Sequence, residues 1–114
     1  MNETNILGAF FKPRQQAIAT YAVEAETIQY KVLQYLLDRA SSTEWGLKYG
    51  YRTIKDYQEF SQRVPVQTYE DIKGYVDRMR HGEKNILWPG NVVWYAKSSG
   101  TTNDKSKFIP VSKE

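Results

Sequence analysis

The chain has 114 residues, which is enough for one small domain or for part of a larger one. Its 40% hydrophobic and 25% charged residues are typical of a globular protein, and its net charge of +3 is scattered, which argues against a nucleic-acid-binding patch. Because the chain has no cysteine and a single histidine, His81, it excludes disulfides, thiolate metal sites, metal clusters of several histidines and a cysteine nucleophile of its own.

The sequence also lacks membrane and export signals. No apolar run approaches the roughly 18 residues that a membrane span needs. The first residues, MNETNILG, have neither the basic region nor the apolar core of a signal peptide. We therefore expect a cytoplasmic protein with neither a membrane nor a nucleic acid as partner.

The first two-thirds of the chain predict helices. Pro13 suits the first turn of a helix, where its missing N–H group would have no partner in any case. Apolar residues three and four positions apart continue to Ala40, where the helix is predicted to end. The strongest stripe consists of Ile28, Val32, Leu33, Leu36, Leu37 and Ala40. The stretch TYAVEAET contains neither proline nor glycine, and the sequence does not decide between one long helix and two helices.

Short helices are predicted to follow. Thr43 is placed to cap a helical turn, and Gly46 and Gly50 predict a looser chain after it. A further helix is predicted from Lys55 to Ser61.

The segment Tyr69–Arg80 carries apolar residues on one face and predicts a longer helix. Thr68 precedes it as an N-cap candidate, with Asp71 in the position of the acidic capping-box residue. His81 follows at the expected C-terminus, where a capping role is favoured over a catalytic one.

Two strands close the sequence. NVVWYAK, residues 91–97, is apolar on both faces and predicts a buried strand, and KFIPV from Lys107 predicts a second one. A buried strand normally has neighbours on both edges, and the sequence offers only one. We therefore expect a mainly α chain with a short β-hairpin, as the N-terminal segment of a larger α/β protein. Residues 1–90 would form the helical region, and residues 91–114 the first two strands and the loop of the α/β domain.

The loop between these strands belongs to the run SSGTTNDKSKFIP, residues 98–110. Glycine lets the backbone approach a ligand closely, hydroxyl groups donate hydrogen bonds, and lysine supplies a positive charge, so the run could cradle phosphate. The G-x-x-x-x-G-K-[ST] phosphate loop is absent. Because the same residue types favour turns, an ordinary solvated hairpin connection also remains open.

The run resembles a known signature. SSGTT with a lysine before an apolar strand is similar to the phosphate loop of adenylate-forming enzymes. The full run resembles SSGT-[TS]-x-G-x-x-K-x-I-P of the Gretchen Hagen (auxin-responsive promoter) family of acyl acid–amido synthetases. Thr43–Gly46 matches the family's T-E-[FY]-G, and Phe60 with VPVQTYED matches F-x-x-x-[VI]-P-[VI]-x-x-Y-E-D. YVDRMRHGEKNILWPG resembles the helix and turn before the loop, particularly in bacterial members.

The resemblance implies an ATP-dependent ligase. The enzyme would activate a carboxylic acid with MgATP as an acyl-adenylate and transfer the acyl group to an amine or an amino acid. The residues implied to hold the ATP phosphates are Ser98, Ser99, Gly100, Thr101, Thr102 and Lys107. Asp104 departs from the family's glycine, and Ser106 from its frequent proline.

The resemblance implies neither catalytic residues nor metal ligands within this chain. Its partner would be the rest of the enzyme, and the isolated chain would be inactive. Two other functions remain as alternatives: a small helical protein-interaction module with no nucleotide ligand, and a weak nucleic-acid binder. The loop sequence favours the synthetase.

Overall fold

The computed structural model describes residues 3–100 and 105–114, and the chain is mainly helical with one β-hairpin. The helices are α1 (Glu3–Ala40), α2 (Glu44–Tyr49), α3 (Tyr57–Arg63) and α4 (Tyr69–Arg80), with a 3-10 turn at Tyr51–Thr53 between α2 and α3. The strands are β1 (Trp94–Lys97) and β2 (Phe108–Val111). Close contacts divide the chain between Leu33 and Gln34 into two units.

Helix α1 ends at Ala40 as predicted, but its beginning differs from the prediction. Pro13 lies inside the helix rather than in its first turn, and it deprives the helix of one backbone hydrogen bond there. Helical geometry is interrupted at Glu24, where φ is −112° and ψ is 21°. The segment therefore consists of two helical stretches that meet at a kink at Glu24. Among the residues that the structure describes, no helix combines the length and apolar character required to cross a bilayer.

Helix α2 is held in place at both ends. Thr43 caps it as predicted, since its Oγ1 accepts a hydrogen bond of 3.0 Å from the Gly46 N–H group. Gly50 ends it in the left-handed conformation, with φ of 64°. Gly46 does not loosen the chain as expected: it is buried within the helix, where a Cβ atom would overlap the carbonyl oxygen of Ala40. Close packing of α2 on the end of α1 therefore requires glycine at this position.

An acidic side chain takes part in the cap of both α3 and α4. Helix α3 starts two residues later than predicted, because Asp56 caps it by accepting a hydrogen bond of 2.8 Å from the Glu59 N–H group. Helix α4 has the predicted bounds. The Asp71 carboxylate accepts hydrogen bonds from the N–H and Oγ1–H groups of Thr68, at 2.7 and 2.8 Å. These bonds lower the pKa of Asp71 below its usual value.

The two strands pair antiparallel, with Trp94 opposite Val111 and Lys97 opposite Phe108. The prediction of a buried strand in residues 91–97 is wrong for this chain. Val92 is buried, but the Trp94 side chain is 68% exposed. A two-stranded sheet can bury one face on the helices beside it, while the other face stays in solvent unless another layer covers it.

The core of the second unit lies where helix α4 meets the segment that leads into β1. Met79, Ile86 and Val92 are buried together. The side chains packed around them are Tyr75, Leu87, Trp88 and Tyr95. The hairpin is thereby anchored at the base of β1.

Candidate functional site

The predicted phosphate loop has a hydrogen-bonded neck formed by its first and last residues. The N–H group of Ser98 donates to the carbonyl oxygen of Lys107 at 2.9 Å. The N–H group of Lys107 donates in return to the Oγ of Ser98, also at 2.9 Å. The first bond continues the ladder beyond the last strand pair, and the second, to a side chain, adds to it, so the two ends of the loop are joined at Ser98 and Lys107.

The structure places only some of the predicted phosphate ligands. Ser98 is half-buried in the neck, whereas Ser99 and Gly100 follow it in exposed, irregular backbone. Lys107 is exposed at the other side of the neck. Thr101 and Thr102 lie outside the described residues, as does the unusual Asp104. The described part of the site therefore consists of its two sides, which include the exposed residues Ser99, Gly100 and Lys107.

Tyr69 contacts the chain as it leaves this neck. Its hydroxyl oxygen lies 2.9 Å from the backbone nitrogen and 3.3 Å from the carbonyl oxygen of Phe108, the residue after Lys107. Sequence reasoning assigned no role in the site to Tyr69, because a tyrosine at the start of a helix carries no signal of a contact 39 residues away.

Cationic side chains surround the same strand end. The Arg80 guanidinium carbon lies 3.6 Å from the centre of the Phe108 ring, and the Lys97 ammonium lies 5.8 Å from it. The Lys107 ammonium lies 5.8 Å from the centre of the Tyr69 ring. Cation–π contacts of this kind hold positive charge near the neck, and Arg80 also forms an ion pair of 3.5 Å with Asp77. An anionic ligand at the loop would be attracted to this side of the hairpin.

Within residues 3–100 and 105–114, no group of three or more histidine, aspartate or glutamate side chains is arranged to hold a metal ion. The described residues of the site offer N–H donors, hydroxyls and lysine. This chemistry suits phosphate oxygens.

The comparison with family models identifies the chain. The model described as "GH3 family N-terminal domain" matches residues 14–114. The chain belongs to the GH3 family. The resemblance inferred from the motifs at residues 43–46, 60–71 and 98–110 is thereby confirmed.

Curated GH3 relatives are amido synthetases. The chain is 30% identical to indole-3-acetic acid-amido synthetase GH3.6 of Arabidopsis thaliana over 104 residues, which cover 90% of this chain and 17% of the relative. It is 38% identical over 88 residues to GH3.15 of the same plant, covering 76% and 15%. It is 30% identical to jasmonoyl–L-amino acid synthetase JAR4 of Nicotiana attenuata, covering 80% and 16%. The chain thus spans about a sixth of the length of these GH3 proteins.

A solved GH3 structure has the same fold. The AtGH3.15 acyl acid amido synthetase in complex with 2,4-DB superposes on 79% of this chain and 16% of its own, with a TM-score of 0.69 and 34% sequence identity. This match confirms the mainly α fold with a β-hairpin as part of a GH3 enzyme.

Proposed function

We propose that this chain is the N-terminal segment of an ATP-dependent acyl acid–amido synthetase and that its hairpin loop holds the β- and γ-phosphates of ATP. The observation that carries the proposal is the closed neck between Ser98 and Lys107 in a chain of the GH3 family. The neck presents a glycine-containing, hydroxyl-rich loop at a strand end with exposed cations beside it. Family membership favours this function over a helical interaction module without a nucleotide ligand.

The chain's residues would act on the leaving group of the first step. A carboxylate oxygen of the acid attacks the α-phosphorus of ATP, an O–P bond forms, and the bond to pyrophosphate breaks. The N–H groups and hydroxyls of Ser98, Ser99, Gly100, Thr101 and Thr102 would hold the phosphates that leave, and Lys107 would neutralise their charge. In the second step, an amine nitrogen attacks the acyl carbon and AMP departs.

The described groups of the site suit this ligand. Ser99 and Gly100 lie in exposed backbone whose N–H groups would turn toward phosphate oxygens, and glycine permits a close approach. Magnesium enters as part of the MgATP substrate, since phosphates and water supply most of the ligands that Mg²⁺ takes in such sites.

The remaining parts of the proposal concern the complete enzyme. The segment 1–90 would form its N-terminal helical region, and the segment 91–114 would open its large α/β domain. The acid and the acceptor would be a carboxylic acid and an amine or amino acid, as the names of the relatives suggest. Because the chain spans about a sixth of these relatives, we infer that it is inactive alone. A cytoplasmic location completes the proposal.

ATP–pyrophosphate exchange tests the function directly. The complete enzyme is assayed with a panel that includes indole-3-acetic, jasmonic and benzoic acids, and then with amino acids for amide formation. We expect exchange that depends on both MgATP and one of the acids, while the isolated 114-residue chain stays at background. If exchange by the complete enzyme stayed at background with every acid in the panel, the result would argue against adenylation. Robust exchange by the isolated chain would contradict its inactivity.

A further inference from the structure

The Tyr69 hydroxyl makes two hydrogen bonds with one residue of the hairpin. It accepts from the Phe108 N–H group at 2.9 Å and donates to the Phe108 carbonyl oxygen at 3.3 Å. Tyr69 is the first residue of helix α4 and is half-buried. A tyrosine hydroxyl can both donate and accept, so a single side-chain oxygen serves both backbone groups.

These two backbone groups belong to the outer edge of strand β2. In an antiparallel ladder, successive residues direct their N–H and C=O groups alternately toward the partner strand and away from it. Lys107 directs both toward Ser98, so Phe108 directs both away from β1. Edge groups of this kind are otherwise left to water. Tyr69 therefore takes the place of a third strand at this one residue.

The consequence for the loop is that its exit is fixed from two sides. Lys107 is bonded to Ser98 on one side, and the next residue is bonded to Tyr69 on the other. The Lys107 ammonium also lies 5.8 Å from the centre of the Tyr69 ring. Tyr69 thus contacts both the backbone of the residue that follows the proposed phosphate lysine and the side chain of the lysine itself.

We propose that Tyr69 is a positioning residue for the ATP-phosphate loop: its hydroxyl fixes the β2 edge at Phe108 and thereby aims Lys107. This inference rests on the proposed function of the loop. It assigns to helix α4 a part in ATP binding that does not require Tyr69 to touch the nucleotide.

The test is Tyr69→Phe in the complete enzyme, because it removes both hydrogen bonds and keeps the ring. We expect the KM for MgATP to rise roughly three- to tenfold, as for the loss of one or two hydrogen bonds. The KM for the carboxylic acid should stay within about twofold, since only the contacts to the phosphates of ATP are weakened. A general loss of structure would change these constants together.

Tyr95→Phe is the matched control. Its hydroxyl donates a hydrogen bond of 2.9 Å to the carbonyl oxygen of Val92 in the same region, at the base of the hairpin rather than at the loop. We expect no selective rise in the KM for MgATP. An equal rise in both variants would mean that any loosening of the hairpin suffices, and it would overturn the role of Tyr69.

Hydrogen exchange supplies a readout that does not depend on catalysis. The Phe108 amide should exchange severalfold faster in Tyr69→Phe than in the wild-type enzyme and be unchanged in Tyr95→Phe, because only the first change removes its acceptor. Unchanged exchange at Phe108 would overturn the contact itself.

A Lys107→Ala variant separates this inference from the function on which it rests. If Lys107→Ala raises the KM for MgATP and Tyr69→Phe does not, the loop assignment stands and the positioning role is overturned. If neither variant alters the KM for MgATP in an enzyme that adenylates acids, the loop assignment fails, and the inference about Tyr69 fails with it.

Discussion

The Oγ of Ser98 lies 2.9 Å from the backbone nitrogen of Lys107 and accepts its hydrogen bond. A side chain predicted to bind phosphate therefore also closes the loop that would hold the phosphate. The hydroxyl proton of Ser98 is not used in this bond and can still be donated to a ligand.

This relationship predicts different effects for the two neighbouring serines. Ser98→Ala removes the bond at the neck and should lower the free energy of unfolding by about 0.5–1.5 kcal/mol. Ser99→Ala changes an exposed side chain and should be close to neutral. Denaturant titration of both variants measures the difference. Equal losses would show that the bond at the neck contributes nothing specific.

The two lysines at the loop exit should also differ. Lys107→Ala removes the charge implied to contact phosphate and should weaken the use of ATP by about one to two decades, since a hydrogen bond to a charged group is worth about 1.5–3 kcal/mol. Lys105→Ala should cost much less. Adenylation kinetics and a thermal melt of each variant make the comparison, with nearly unchanged melting expected for both because the two side chains are exposed. The reverse order would mean that the motif is shifted by two residues.

Gly46 and Gly74 form a matched pair for a test of packing. A Cβ atom at Gly46 would overlap the Ala40 carbonyl oxygen and lie 2.9 Å from its carbonyl carbon. Since backbone cannot move aside as a side chain can, Gly46→Ala should destabilise the protein by about 3 kcal/mol. A Cβ atom at Gly74 would meet no atom within 4 Å. Gly74→Ala, in the middle of α4, should instead stabilise the protein by about 0.5–1 kcal/mol. Similar melting temperatures for the two variants would contradict the close contact at Ala40.

The Arg78 guanidinium joins α4 to α2. It donates hydrogen bonds of 2.9 and 2.7 Å to the two carboxylate oxygens of Glu44, and a further bond of 2.8 Å to Glu83. The hydrogen bonds from Arg78 hold the pKa of Glu44 below its usual value of 4.5. A lowered pKa means that the folded state favours the ionised carboxylate more strongly than the unfolded state does.

The direction of this pKa shift predicts how the stability changes with pH. The contribution of Glu44 is fully present above about pH 4.5 and is lost as the pH falls through the lower pKa of the folded state. Glu44→Gln should therefore reduce the decline in melting temperature on acidification. Parallel curves for wild type and Glu44→Gln would show that the ion pair does not couple to folding.

Local signals in the sequence were sufficient for several elements. The end of α1 at Ala40, the Thr43 cap and the bounds of α4 at Tyr69 and Arg80 are confirmed. Each depends on side chains within one turn of the backbone group that they serve, so spacing along the chain contains the necessary information. The family was also accessible from sequence, because its motifs are short, ordered and rich in glycine and hydroxyl residues whose chemistry is specific.

Only the tertiary structure decided which distant groups meet. Tyr69 and Phe108 are 39 positions apart, and Arg78 and Glu44 are 34 apart. Neither separation follows a helical or strand period, because both pairs form where separate elements pack. The same reason explains Trp94, whose apolar character predicted burial although its face of the hairpin is exposed in this chain. The pattern of apolar residues in a sequence shows which side chains gain free energy by leaving water. Whether another layer of structure covers those side chains depends on the assembled fold.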